Sequence, residues 1–181
     1  MRFDPMRFTL KDGRAAVLRV PEPDDAPQML DYLVRSAEES DFLLRQPEEC
    51  DYTEEQERTL LAQFRDNPDS LMLACFVDEA LAGNCNLAFS SKQKIRHRAD
   101  VAIAVRRDFW GLGIGTAMFR AMIDLARARG VAQIELEYIE GNDRARALYE
   151  KLGFIVYAEH PDAIRQWDGS LKKLICMMKK L

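Results

Sequence analysis

The chain is poor in the residues that mark several classes of protein. Its 181 residues hold four cysteines and two histidines. Cys50, Cys75, Cys85 and Cys176 show no CxxC spacing, and only His97 and His160 could join them. Neither a disulfide framework nor a structural zinc site is expected, and no other metal is. No apolar run approaches the ~18 residues that cross a membrane. The opening MRFDPMRFTL lacks an apolar core of signal-peptide length, so the expectation is a reduced, cytoplasmic protein with no membrane partner. Positive charge is not in excess either: the formal net charge is −4, which argues against nucleic acid as the main partner. Repeats, low-complexity tracts and Pro/Gly-rich linkers are all missing, so residues 1–181 are expected to form one domain.

What is present alternates between strand and helix signals. Residues 15–20 read as a first strand. Asp24 or Asp25 then caps a helix with Ala26, Met29, Leu30, Leu33 and Ala37 at helical spacing. Residues 40–51, with Pro47, read as a loop. Thr53 and Gln56 form a capping box for a helix that buries Leu60, Leu61 and Phe64, and Asn67-Pro68-Asp69 stops it. The apolar runs 71–77 and 80–89 flank Asp78-Glu79 as a β-hairpin. A basic turn, 92–98, leads to a strand at 101–105. Gly130 ends the helix that follows. Residues 133–138 alternate Ile134, Leu136 and Tyr138 against Gln133, Glu135 and Glu137, a strand by period two. A helix runs from near Asn142 to Gly153. Segments 154–157 and 171–178 close as an antiparallel pair around Asp168-Gly169. The order β-α-α-β-β-β-α-β-α-β-β predicts a mixed α/β sheet with helices packed on it.

The most informative stretch is Arg106-Arg-Asp-Phe-Trp-Gly-Leu-Gly-Ile-Gly-Thr116. The strand at 101–105 runs into it, and a helix with Ile114, Met118, Ala121, Leu125 and Ala128 on one face runs out. Gly111, Gly113 and Gly115 therefore sit where a strand feeds a helix N-terminus. Glycines let backbone N–H groups approach an anion, and the first N–H groups of a helix are unpaired at the positive end of its dipole. Phosphate is the natural guest. A Walker loop is excluded because no Lys follows the glycines. A dinucleotide fingerprint needs a third glycine where Thr116 stands, although Glu135 lies at a fitting distance for its acidic residue.

VAIAVRRDFWGLGIGTAMF, followed by Asn142-Asp-Arg-Ala-Arg-Ala-Leu-Tyr-Glu-Lys-Leu-Gly-Phe154, resembles the GNAT superfamily of acyl-CoA-dependent N-acetyltransferases. The resemblance extends to the hairpin order before these motifs and to the Asp-Gly turn after them. It implies a twisted, mostly antiparallel sheet with about four helices, whose fourth and fifth strands, parallel to each other, splay apart to admit acetyl-CoA. The pyrophosphate would lie on Trp110, Gly111, Leu112, Gly113, Ile114, Gly115 and Thr116. The pantetheine arm would pair with the backbone of Ile103, Ala104 and Val105, and Asn142, a helix cap on sequence logic, would add a hydrogen bond to the cofactor. One departure is Trp110, where the family often has Arg or Gln. Arg106 and Arg107 either supply charge nearby or are solvated loop residues.

Acyl transfer to an amine needs a proton removed from the amine, a stabilised oxyanion and a proton for the departing thiolate. The resemblance implies Tyr149 as general acid, and a phenol of pKa ~10 is protonated at neutral pH. The alternative is that its ring only packs against pantetheine. The general base stays open between Asp100, just before the glycine-loop strand, Glu137 on the neighbouring strand, His97, and bulk water. A backbone N–H near Ala104 or Val105 is the expected oxyanion donor. An acyl-enzyme on Cys75, Cys85 or Cys176 is disfavoured, because all three sit in strand-like apolar runs.

The acceptor is less legible. Acids crowd the N-terminal region, among them Glu38, Glu39, Glu48, Glu49, Glu54, Glu55 and Glu57. They either draw a cationic amine or serve solubility and helix dipoles. Phe42 and Leu43 are candidates for an acceptor lid, and Lys172-Lys173 replaces an acid that similar chains carry. The expectation is direct transfer to a primary amine, most simply a small molecule, by a monomer or homodimer. The rivals are a protein N-terminal acetyltransferase and a non-catalytic acyl-CoA sensor.

Overall fold

The computed structural model describes residues 3–181; Met1 and Arg2, the first two residues of MRFDPMRFTL, lie outside the described residues. Among the described residues are strands β1 (Met6–Thr9), β2 (Ala15–Arg19), β3 (Ser70–Val77), β4 (Ala80–Phe89), β5 (Arg98–Val105), β6 (Gln133–Ile139), β7 (Ile155–Arg165) and β8 (Leu171–Lys180). The helices are α1 (Ala26–Glu38), α2 (Glu54–Asp66), α3 (Ile114–Ala128) and α4 (Asp143–Lys151). Hydrogen-bonded neighbours follow the order β1-β2-β3-β4-β5-β6-β8-β7. This is the expected mixed α/β class with one strand more than predicted, so the fourth and fifth strands of the sequence reading are β5 and β6. The chain divides into two compact units, one comprising the chain up to Ala88 with Ile103–Met118, the other Phe89–Ala102 with Phe119–Leu181.

In the first unit, β1, β2, β3 and β4 pair antiparallel, with Met6 opposite Leu18, Ala16 opposite Val77 and Ser70 opposite Ala88. The β3–β4 turn places Asp78 and Glu79 at φ 48° and 67°, the left-handed pair that a two-residue hairpin requires. Met29 and Tyr32 of α1 and Leu61 of α2 pack with Ala74, Phe76 and Leu81 of the sheet. The Thr53–Gln56 capping box is present, with both reciprocal bonds. Asp25 sits at the N-cap position of α1 but does not cap it with its side chain. Its carboxylate instead accepts the Glu22 N–H at 2.7 Å and both Arg19 guanidinium nitrogens at 2.6 and 2.7 Å. The buried face of α1 also differs from expectation, taking in Tyr32 and Ser36, while Leu30 and Leu33 are half-buried. On α2, Leu61 is buried as expected, but Leu60 and Phe64 are only half-buried and Glu57 is buried.

In the second unit, β5 pairs parallel with β6 only through Arg98–Gln133, Ala99–Ile134 and Asp100–Glu135. The ladder ends there although β5 continues to Val105. The rest of the ladder is antiparallel, β6 with β8 and β8 with β7. β5 begins at Arg98, three residues before the expected strand, so Asp100 lies within it rather than before it. β6 does not alternate in burial: Gln133 and Glu135 are buried with Ile134 and Leu136, and only Glu137 is exposed. Of α3, Ile114 and Met118, which belong to the first unit, and Phe119, Ala121, Met122, Ile123 and Ala126 of the second are buried, whereas Ala128 of the predicted face is exposed and Leu125 half-buried. Both predicted glycine stops hold. After α3, Val131 N–H donates to Ala126 and Gly130 N–H to Arg127; after α4, Phe154 N–H donates to Tyr149 and Gly153 N–H to Glu150. β7 is far longer than the predicted 154–157 and exposed along nearly its whole length.

Candidate functional site

The glycine segment is built by three local constraints, all within the first unit. After β5, the Arg106 N–H donates to the Ala82 carbonyl at 2.9 Å, and Arg107–Phe109 form a single tight turn with Phe109 buried. The Trp110 indole N–H donates to the Val105 carbonyl at 2.6 Å, so this departure from the family pattern braces the end of the strand. Gly111 and Gly113 then take φ of +78° and +102°, which L side chains rarely adopt. Nothing lies within 4 Å of where a Cβ would stand at either glycine, so internal packing does not demand them. The Gly113 carbonyl accepts the Ala117 N–H at 3.1 Å and opens α3. The N–H groups of Ile114, Gly115 and Thr116 precede that first intrahelical bond, in the position that favours an anion. These residues fit a pyrophosphate.

Glu39 engages both Arg106 and Arg107; Arg106 is half-buried, whereas Arg107 is an exposed loop residue. Glu39, at the end of α1, accepts the Arg107 backbone N–H at 2.6 Å, pairs with Arg106 at 3.8 Å, and its carbonyl takes the Arg107 guanidinium. The Arg106 side chain is 12% exposed and also meets Asp108 at 3.5 Å.

In the second unit, the Asn142 side chain accepts the Ala145 N–H at 3.2 Å and caps α4, as expected. Two turns on, Tyr149 is 7% exposed, its ring edge-on to Phe119 at 5.4 Å and tilted against Tyr138 at 5.9 Å. Burial, with Tyr138 adding to it, pushes the phenol up to about 12. It is therefore protonated throughout the neutral range, the state a proton donor needs.

The base candidates divide. Asp100 stands opposite Glu135 on the parallel ladder, and loss of water, then Glu135, then Glu137 raise its pKa against the opposing Arg98. Glu135 is buried, paired with Arg98 at 3.1 Å and held by the Gln133 amide. Glu137 is exposed and accepts the Cys176 thiol at 3.6 Å. The structure thus gathers Asp100, Glu135 and Glu137, of which Glu135 was not anticipated as a participant. The His97 side chain is exposed and its carbonyl accepts the Ala132 N–H. Burial pushes the Cys75 thiol up to about 12 and raises the Cys85 thiol well above its ordinary value, so neither is a ready thiolate.

Sequence reasoning missed the polar groups beneath α1 and α2. The Tyr32 hydroxyl donates to the Ala104 carbonyl at 3.0 Å and lies 3.0 Å from the Asn84 side-chain oxygen. Glu57 is 2% exposed, and its Oε2 has no hydrogen-bond partner, as is also true of the buried Asn86 Oδ1. Phe42 is 37% exposed and Leu43 half-buried. Among the described residues no group of three or more His, Cys, Asp or Glu is placed to hold a metal ion, and no helix is long and apolar enough to cross a membrane.

The model of the Acetyltransferase (GNAT) family matches residues 32–154, more than half of the chain. The chain belongs to the GNAT acetyltransferase family. Over 51 residues it is 53% identical to mycothiol acetyltransferase of Beutenbergia cavernae, a match covering 28% of this chain and 17% of that protein. The chain therefore spans well under two thirds of that relative. A longer match, 22% identical over 186 residues, covers 90% of this chain and 98% of the putative ribosomal N-acetyltransferase YdaF of Bacillus subtilis. Among solved structures, the GNAT-family acetyltransferase from Streptococcus pneumoniae superposes with a TM-score of 0.85 at 24% identity, covering 92% of this chain and 99% of that one. The putative acetyltransferase yncA from Salmonella typhimurium, solved with its cofactor acetyl-CoA, has a TM-score of 0.77 at 16% identity, covering 92% and 94%. These two structural likenesses establish the GNAT fold.

Proposed function

We propose that residues 1–181 act as one cytoplasmic N-acetyltransferase domain, monomeric or homodimeric, moving an acetyl group from acetyl-CoA to a primary amine by direct attack. The observation that carries this reading is the glycine segment of a GNAT chain, with Gly111 and Gly113 in left-handed backbone and open to approach ahead of α3. Acetyl-CoA supplies the activated thioester when bound. Trp110, Gly111, Leu112, Gly113, Ile114, Gly115 and Thr116 hold its pyrophosphate through backbone N–H groups. Ile103, Ala104 and Val105 offer strand backbone to the pantetheine arm, and a backbone N–H near Ala104 or Val105 donates to the thioester carbonyl oxygen. Asn142 contributes one further hydrogen bond. The amine nitrogen bonds to the acyl carbon as the carbon–sulfur bond breaks. Tyr149 gives its proton to the departing sulfur and regains one from solvent. The amine's proton leaves to Asp100 or Glu137, of which Asp100, with its raised pKa, is the better base.

A small-molecule amine is the favoured acceptor. The likeness of nearly the whole chain to a putative ribosomal N-acetyltransferase favours a second reading, a protein N-terminal α-amine. The test is Tyr149→Phe, assayed for thiol release against panels of small amines and N-terminal peptides. Turnover should fall ~10²-fold or more with acetyl-CoA affinity near that of wild type. An unchanged rate reduces Tyr149 to packing. Acetyl-CoA binding without turnover on either panel leaves the chain a non-catalytic sensor.

A further inference from the structure

Asp100, Glu135 and Glu137 share one face of the sheet in the second unit, and Arg98 stands among them. The parallel register sets Arg98 beside Gln133 and Asp100 beside Glu135, and the antiparallel ladder sets Lys180 beside Gln133. Residues two apart on a strand point to the same side, so both cations lie on the face of the three acids.

The guanidinium is not divided between the acids. Asp100 lies two residues from Arg98 on the same strand. Among the described residues, however, Arg98 donates to both Glu135 oxygens, at 3.1 and 3.2 Å, and to neither oxygen of Asp100. Glu135 is gripped from its other side as well, because the Gln133 amide donates to it and Lys180 donates to Gln133. The row Lys180–Gln133–Glu135–Arg98 therefore ends short of Asp100, which is exposed while Glu135 is 8% exposed. Like charges on neighbouring strands repel, and stability alone would favour a guanidinium shared by both acids.

The other groups on this face leave the same balance. Glu137 follows Glu135 on β6, Cys176 lies beside Glu137 on β8, and Tyr157 of β7 feels both glutamates. β4 carries no charged residue, and its one thiol, Cys85, is buried. Loss of water raises the Asp100 pKa most, and Glu135 raises it by more than Arg98 lowers it. A carboxylate bound to arginine is held ionised and takes a proton poorly.

We propose that Glu135 is a positioning residue for the base: by holding Arg98 it keeps the guanidinium off Asp100, whose carboxylate stays open to the proton of the acceptor amine. The inference rests on the acetyltransferase reading above and deepens its proton-transfer step. The N–H bond of the amine breaks, its electron pair stays on the nitrogen that has attacked the acyl carbon, and the proton bonds to an Asp100 oxygen and then leaves to solvent.

The experiment follows the side-chain carboxyl carbons of the full chain by NMR through an acid titration, with Asp100→Asn assigning the Asp100 signal. Wild type should show an Asp100 midpoint above the ordinary 3.8. In Glu135→Gln that midpoint should fall by about half a pH unit or more, because a negative neighbour is gone and Arg98 is released to Asp100. With saturating acetyl-CoA and an amine from the small-amine or N-terminal-peptide panel, the acidic limb of kcat should move to lower pH by the same amount. A Glu135 that only supports the fold would lower melting temperature or turnover and leave midpoint and limb in place, which overturns the proposal. A wild-type Asp100 midpoint at or below 3.8 overturns it without any variant. A lowered midpoint with an unmoved limb overturns it too, because the base is then another group. If no amine of either panel draws thiol from acetyl-CoA while the midpoint still falls in Glu135→Gln, it is the acetyltransferase reading that fails.

Discussion

Gly83 has no room for a side chain. A Cβ there would sit 2.7 Å from the Ala104 carbonyl oxygen and 3.1 Å from the Val105 Cα, both rigid backbone atoms. The contact is shared with Tyr32, which bonds that same carbonyl, and with the Arg106 N–H bonded to Ala82 next to Gly83. Gly83→Ala must push β5 away or bend β4, and overpacking of that kind costs about 1–3 kcal/mol. Urea unfolding of the variant should show this loss in the midpoint with an unchanged slope. A midpoint equal to wild type would mean that β4 and β5 slide freely at this point. Gly111 and Gly113 are the opposite case, since they have open space around them and are required by backbone conformation rather than by neighbours. The distinction was invisible in the sequence. A glycine in a strand and a glycine in a loop are the same letter, and only the distance to Ala104 and the backbone φ separate a packing glycine from one set by conformation.

At the scale of elements, the tie between β2 and α1 is the Arg19–Asp25 pair. Arg19 also lies over the Phe76 ring, 4.0 Å from its centroid, so the guanidinium is held on two sides. Burial drives the Asp25 carboxyl up, but Arg19 and the Glu22 N–H outweigh it and leave the pKa below its ordinary 3.8. A carboxyl whose folded pKa is lowered stabilises the fold above its unfolded pKa and stops doing so as pH falls through the folded value. Asp25→Asn should therefore cost about 2 kcal/mol near pH 7, and the deficit should shrink below pH ~4 as wild type loses its own pair. Denaturation of both proteins at pH 7 and pH 3 measures it. A deficit of equal size at both would assign the effect to the lost hydrogen-bond geometry with Arg19 and Glu22 rather than to charge. The two Schellman ends and the Thr53 box were readable because each depends on side chains or glycines a few residues apart. Asp25 was misread as a helix cap because its partner, Arg19, lies in the preceding strand. β1 escaped because four half-exposed edge residues, Met6 to Thr9, give too short a pattern. β7 escaped because Pro161 and the positive φ of Asp162 interrupt it, and exposure on both faces removes the period-two signal. Glu57 was hidden among exposed acids of the same turn, and burial alone tells it apart.

At the scale of the whole molecule, the decisive property is which ligand the folded chain prefers. A ligand that binds only the folded state stabilises it by ~2.7 kcal/mol at about 100 times its dissociation constant. For a chain of this size that is a rise of roughly 5–11 °C in melting temperature. Backbone N–H groups at the start of α3 do not by themselves tell one pyrophosphate from another, because CoA and NAD both carry one. Discrimination is expected from the strand backbone at Ile103, Ala104 and Val105, which can pair strand-like with the two secondary amides of an extended pantetheine arm but not with the single ring-borne carboxamide of a nicotinamide riboside. Acetyl-CoA and CoA should therefore both raise the melting temperature, and NAD should leave it unchanged. Equal shifts with NAD would mean that the loop reads phosphate alone and would return the dinucleotide fingerprint, with Glu135 as its acid, to contention. Glu135 is poorly suited to that role, since its carboxylate is already occupied by Arg98 and Gln133 and would have to release both to meet a ribose. No shift with CoA would remove the glycine segment from the site and leave its left-handed glycines serving only to turn the chain from β5 into α3.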